Sequence, residues 1–190
     1  MFARLPVILL GALLSVAACA QEQKDATASA PVAAEAGKNY FLIEPPQPTS
    51  SGDKIEVLEV FSYACVHCAH FQPYADEIKS KLPAYAQFEY LPAIFNDQWE
   101  AYARAFYCAQ SLGVLDKTHQ AVFNAVHRDH RPFRSFNDIA AFYGEQGVDS
   151  EKFTQLATPF EVQSKLARSK SLVPKFGVDG TPTIIINGKY

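Results

Sequence analysis

The segment from Lys54 to Cys68 constrains this chain most. A nearly continuous apolar run, Ile55-Glu56-Val57-Leu58-Glu59-Val60-Phe61-Ser62, leads within three residues into two cysteines spaced as Cys65-Val66-His67-Cys68. Apolar, largely β-branched residues without strict alternation predict a strand buried on both faces. From Cys65 to Leu82 the period changes: Phe71, Tyr74, Ala75, Ile78 and Leu82 recur at three and four, predicting a helix with that stripe inward and a kink at Pro73. Phe88 to Leu91 is a second short strand. Strand, helix and strand in this order make a βαβ unit, whose two strands run parallel through a right-handed crossover. The cysteine pair therefore stands where the first strand gives way to the helix.

That position has chemical consequences. A cysteine opening a helix meets unsatisfied backbone N–H groups and the positive end of the helix dipole, both of which favour thiolate over thiol. His67, donating a hydrogen bond or protonated, adds to this from the same side. Each pH unit by which a thiol is made more acidic represents ~1.4 kcal/mol of preference for the anion. A stabilised thiolate leaves easily, so a Cys65–Cys68 disulfide is readily opened by an incoming thiolate and is a strong oxidant. Cys68, one turn further in, is placed to resolve the mixed disulfide. Three other readings compete. A structural disulfide at this spacing closes a tiny loop with little entropy to gain. Zinc needs a second pair of ligands, and His67 and His70 crowd the same turn. Covalent haem wants a histidine after the second cysteine, where this chain has Ala69.

Four cysteines in 190 residues are too few for a disulfide scaffold. A formal charge of -3 and the lack of a long basic run argue against nucleic acid as a partner. At 48% apolar and 19% charged residues, the chain can bury a core. Its length suits one domain with an insertion.

Residues 1–20 have the layout of a secretory signal: Arg4, an apolar stretch from Leu5 to Val16, then Ala17-Ala18-Cys19-Ala20. The stretch is interrupted by Pro6 and Gly11 and is shorter than the ~20 residues a membrane-spanning helix needs. Ala18-Cys19-Ala20 suits cleavage after Ala20. Val16-Ala17-Ala18-Cys19 also resembles a bacterial lipobox, which would leave Cys19 first and lipidated. Residues 21–38 form a low-complexity tether. Either processing route delivers residues 39–190 to the bacterial envelope, where thiols can stay oxidised.

From about Asp97 to Phe176 the pattern is helical. Trp99, Tyr102, Ala103, Phe106 and Tyr107 mark one helix, stopped by Gly113, and Asp116 to His127 a second. Ser135 to Asp138 has capping-box spacing and opens a third, to about Gln146. A fourth runs from Ser150 to about Phe176, interrupted at Pro159 and Pro174. Cys108 reads as a buried structural thiol, Trp99 and Tyr102 as core, His70 as helix surface, and His127-Arg128-Asp129-His130-Arg131 as a solvated loop. Thr183 to Ile186 is a third strand, and Asn187-Gly188 a hairpin signal. The expected architecture is α/β, split by a helical insertion at about 97–176. The hairpin signal stands two residues before Tyr190, which implies a further strand beyond it.

The run Val57-Leu58-Glu59-Val60-Phe61-Ser62-Tyr63 before Cys65-Val66-His67-Cys68, with Phe176-Gly177-Val178-Asp179-Gly180-Thr181-Pro182-Thr183 before Asn187-Gly188-Lys189-Tyr190, resembles the thioredoxin-like thiol oxidases of the DsbA type. The resemblance spans Lys38 to Tyr190. It implies a thioredoxin-like fold, with a final strand and helix beyond Tyr190, and a redox-active Cys65–Cys68 pair with no cofactor. It implies that Thr181 and Pro182 form the cis-proline loop facing the cysteines and binding substrate backbone. It also implies that Glu59 is a buried carboxylate assisting proton transfer at Cys68, although an exposed strand-edge acid fits the same residue. The implied partners are reduced or unfolded secreted proteins bearing cysteines, and a membrane, quinone-linked protein that reoxidises the pair. A monomer is expected. Val66 stands where proline is commonest in the family, and Thr181 where valine is frequent and threonine more typical of related isomerases. A periplasmic dithiol oxidase is the leading reading. A disulfide isomerase or reductase of the same fold, and a non-catalytic envelope protein binding peptides or metal, are the alternatives.

Overall fold

The computed structural model describes residues 33–190. The signal-like residues, Cys19 and most of the tether lie outside that range. Three strands, β1 (Ile55–Phe61), β2 (Ala86–Pro92) and β3 (Thr183–Ile186), form one sheet in the order β2-β1-β3. β1 and β2 are parallel, in register from Ile55 with Ala86 to Phe61 with Pro92. β3 runs antiparallel to β1, pairing Val57 with Ile186 and Val60 with Thr183.

The first helix, α1 (Val66–Lys81), joins β1 to β2. It runs unbroken through Pro73. Its buried residues are Cys68, Gln72 and Ala75, while Tyr74, expected on the inner stripe, is exposed. The short steps from Cys68 to Gln72 to Ala75 keep to the face that packs on the sheet, and Tyr74 falls a third of a turn away from it.

Between β2 and β3 lie α2 (Asp97–Ser111), α3 (Leu115–Phe123) continued by a π-helical turn at Asn124–Arg128, α4 (Phe136–Glu145), α5 (Ser150–Gln155) and α6 (Phe160–Lys175). The expected fourth helical segment is divided at Pro159, which caps the start of α6, whereas Pro174 lies inside α6 and does not end it. Local sequence sets the other starts. Asn96 accepts from the Trp99 N–H at 3.0 Å to open α2. At α4, Ser135 Oγ accepts from the Asp138 N–H while Asp138 Oδ2 accepts from the Ser135 N–H, satisfying two otherwise orphan donors.

β1 is buried on both faces, as its continuous apolar run requires. Leu58 and Val60 pack with Leu91, Val173, Phe176 and Ile185. Phe61 joins the other cluster, an aromatic-rich core built with Tyr63, Phe106, Phe123 and Tyr143. α2 runs through this core and touches α3, α4, α5 and α6. After β3, Asn187 and Gly188 take positive φ, 53° and 65°. The Gln47 N–H donates to the Gly188 carbonyl at 2.8 Å, and a Cβ on Gly188 would stand 2.1 Å from the Gln47 oxygen, so this approach requires glycine.

Candidate functional site

The turn between β1 and α1 builds the site. The Cys65 N–H donates to the Ser62 carbonyl at 3.0 Å, and the Ala64 N–H to Ser62 Oγ at 3.1 Å. This reverses the chain and leaves Cys65 as the N-cap of α1. There the Cys65 Sγ accepts from the Cys68 N–H at 3.3 Å, so sulfur does what a serine or aspartate oxygen does at an ordinary cap. The first turn of α1 has no acidic residue, so the positive end of its dipole faces Cys65 without a carboxylate to offset it.

Cys65 is partly exposed and Cys68 fully buried, and both are free thiols. Burial pushes the Cys68 thiol well above the ordinary range. One sulfur is thus reachable by an incoming thiolate while the other waits behind it in protonated form. The Cys65 thiol donates to the Thr181 carbonyl at 3.2 Å, which brings the loop before β3 onto the Cys65 sulfur. The Thr181–Pro182 peptide is cis, and Pro182 offers no N–H toward the sulfurs.

Glu59 lies in the middle of β1, flanked by Tyr90 of β2 and Ile184 of β3, and is fully buried. Neither carboxyl oxygen has a hydrogen-bond partner. Burial raises it from 4.5 to about 8, against a lowering influence of Lys79 and with a further raising one from Asp76. It is therefore largely protonated at neutral pH. His67 is exposed on the first turn of α1 and makes no hydrogen bond among the described residues. The structure brings together Cys65, Cys68, Thr181 and Pro182; Glu59 sits in the sheet on the strand that leads to them, and His67 is exposed two residues after Cys65.

His70 is exposed and Cys108 fully buried, with its thiol pushed up to about 12 by burial. Sequence reasoning missed two histidines. His119 is buried, and its Nδ1 shares a 2.7 Å hydrogen bond with the Tyr63 hydroxyl. His127, read as part of a solvated loop, is half-buried in the π-helical turn, and its Nε2–H donates to the Tyr63 carbonyl at 2.8 Å. The mixed charges of residues 128–131 hid it. The available signal was the spacing of His119, Phe123 and His127, one helical turn apart. Among the described residues, no three His, Cys, Asp or Glu side chains are grouped to hold a metal ion.

A parallel β-α-β unit with a cysteine pair at its helix start, an antiparallel third strand and a cis-proline loop against the first sulfur define a thioredoxin-like dithiol protein. The model of the DSBA-like thioredoxin domain matches residues 56–190, and the chain belongs to that family. It is 38% identical over 155 residues to the thiol:disulfide interchange protein DsbA of Pseudomonas aeruginosa, covering 82% of this chain and 74% of that one. It is 36% identical over 178 residues to the protein of the same name from Pseudomonas syringae pv. tomato, covering 94% and 83%. The crystal structure of Pseudomonas aeruginosa DsbA superposes with a TM-score of 0.78 at 37% identity, over 82% of this chain and 81% of that one. The oxidoreductase DsbA from Xylella fastidiosa does so with a TM-score of 0.74 at 32% identity, over 79% and 82%.

Proposed function

We propose that this protein is a thiol:disulfide oxidoreductase of the bacterial periplasm that donates a Cys65–Cys68 disulfide to newly exported proteins. The observation that carries the reading is the pairing of a partly exposed sulfur at a helix N-cap with a fully buried, protonated one behind it. A substrate thiolate attacks the Cys65 sulfur of the disulfide. The S–S bond breaks, and Cys68 leaves and takes up a proton, which its burial demands. Glu59, neutral until about pH 8, is the nearby strand's proton donor in this scheme. A second substrate thiolate then attacks the substrate's own sulfur in the mixed disulfide, and Cys65 leaves as a thiolate held at the helix N-terminus. Two electrons pass from substrate to protein, and the substrate gains a disulfide. The extended substrate segment lies along the Thr181–Pro182 loop.

Reoxidation of the pair falls to a membrane partner that passes electrons to a quinone. The reaction needs no metal or organic cofactor. Cys68→Ala removes the resolving sulfur and leaves Cys65 intact, so in cells it should accumulate mixed disulfides with secreted proteins, read by mobility on non-reducing gels and lost on reduction. A Cys68→Ala protein that collects no adducts would sink the assignment.

A further inference from the structure

Three side chains of one helical face converge on a single residue of the active-site turn. His119, Phe123 and His127 follow one another at one-turn intervals along α3 and its π-helical continuation. Each touches Tyr63, which is buried two residues before Cys65. His119 Nδ1 hydrogen-bonds the Tyr63 hydroxyl at 2.7 Å. The Phe123 ring meets the Tyr63 ring edge-on, with centroids 5.0 Å apart. His127 Nε2–H donates to the Tyr63 carbonyl at 2.8 Å, and the His127 ring stacks on Phe123 at 6.3 Å. A carbonyl can only accept, so His127 must carry its proton on Nε2.

We propose that His119, Phe123 and His127 are positioning residues for the redox reaction, gripping Tyr63 at hydroxyl, ring and carbonyl and so holding the turn that presents Cys65 to its helix N-terminus. The proposal rests on the oxidoreductase reading above. The same peptide unit that His127 holds by its carbonyl donates, through the Ala64 N–H, to Ser62 Oγ. The next N–H, that of Cys65, closes the turn on the Ser62 carbonyl. Tyr63 is therefore the point at which the inserted helical region fixes the conformation of the cysteine-bearing turn.

The grip matters more to one redox state than to the other. In the disulfide form the S–S bond itself ties Cys65 to the first turn of α1. In the reduced form Cys65 is held only by weak bonds: its sulfur to the Cys68 N–H and the Thr181 carbonyl, and its backbone through the turn. Loosening Tyr63 frees the reduced form more and so costs it more, which shifts the equilibrium toward the disulfide and makes the protein a weaker oxidant.

The test compares His127→Leu, which removes the donor, with His127→Gln, whose amide nitrogen reaches about where the imidazole Nε2 stands. Full-length proteins are equilibrated with reduced and oxidised glutathione, and thermal melting is recorded alongside. His127→Leu should shift the redox equilibrium toward the disulfide by more than about twofold and at most about fivefold, the limit set by the worth of one net hydrogen bond, and His127→Gln should return to within about twofold of wild type. A wild-type equilibrium in His127→Leu, whatever its melting temperature, overturns the proposal and leaves His127 a structural residue only. If His127→Leu does not fold, Tyr63→Phe keeps the ring packing and removes the hydroxyl bond. It should shift the equilibrium the same way, and no shift overturns the proposal equally. A wild-type protein that fails to exchange with glutathione refutes the oxidoreductase reading itself, a result separable from equal equilibria in wild type and variants.

Discussion

Replacing Glu59 with glutamine should remove a loss of stability with rising pH over the neutral range. In the fold this carboxyl is buried without a hydrogen-bond partner and is raised from 4.5 to about 8. The unfolded chain ionises it near its ordinary value, so between pH 4.5 and 8 the native state holds a proton that the unfolded state has lost. Stability then falls as pH rises, by up to about 1.4 kcal/mol per pH unit. From pH 5 to pH 8.5 the loss from this one group comes to ~4 kcal/mol, most of it in place by pH 8. Glutamine keeps the shape and cannot ionise, and its extra buried N–H costs about 1 kcal/mol at every pH. Glu59→Gln should therefore be slightly less stable than wild type at pH 5 and about 3 kcal/mol more stable at pH 8.5. Urea unfolding of the reduced proteins, followed by fluorescence of the single tryptophan, Trp99, measures both curves. The other carboxyls titrate in both proteins and cancel in the difference. Parallel curves across this range would refute the idea that Glu59 is held neutral by burial.

Burial, with a smaller push from Lys79, holds His119 down at about 3, while the unfolded chain protonates it near 6.5, so stability is lost as pH falls through that window. His119→Phe should flatten this slope by up to about 1.4 kcal/mol per pH unit, and equal acid-unfolding profiles would contradict a neutral His119. Ser135→Ala removes the Oγ that accepts from the Asp138 N–H, leaves the residue-135 N–H bond to Asp138 Oδ2 in place, and should cost about 1 kcal/mol in thermal or urea unfolding. Phe61→Ala opens the aromatic core behind the active-site turn and should cost about 3–5 kcal/mol. Cys108, fully buried and weakly acidic, should resist iodoacetamide in the native reduced protein while Cys65 reacts; mass spectrometry of the labelled peptides showing rapid labelling at Cys108 would place it in a mobile region instead.

The β1 segment, the capping box at Ser135 and the Asn187-Gly188 turn were legible because each is set by neighbours within a few residues: apolar continuity, a side chain three positions from its backbone partner, and two residues that tolerate positive φ. The same holds for Cys65 at a helix start, since the change of period from strand to helix falls on it. Helix faces were less legible. Tyr74 matched the apolar spacing yet lies in solvent, because hydropathy marks Tyr as inward while the sheet-facing stripe of α1 is filled by Cys68, Gln72 and Ala75. His127 was misread for the opposite reason. Its charged neighbours suggest solvent, and only the packing of α3 against the β1–α1 turn makes it a donor to Tyr63.

By itself the amino-acid sequence determined the order of strands and helices, the helical region between β2 and β3, and the placing of two cysteines at the head of α1, because these follow from residue type and local spacing. Tertiary structure alone decided the rest. It brought the Thr181 carbonyl to 3.2 Å from Cys65 across 116 residues of chain, and enclosed Glu59 without a partner so that it stays neutral to about pH 8. The physical reason is that desolvation and contact between distant segments depend on what the whole chain packs around a group, and no stretch of neighbouring residues encodes that.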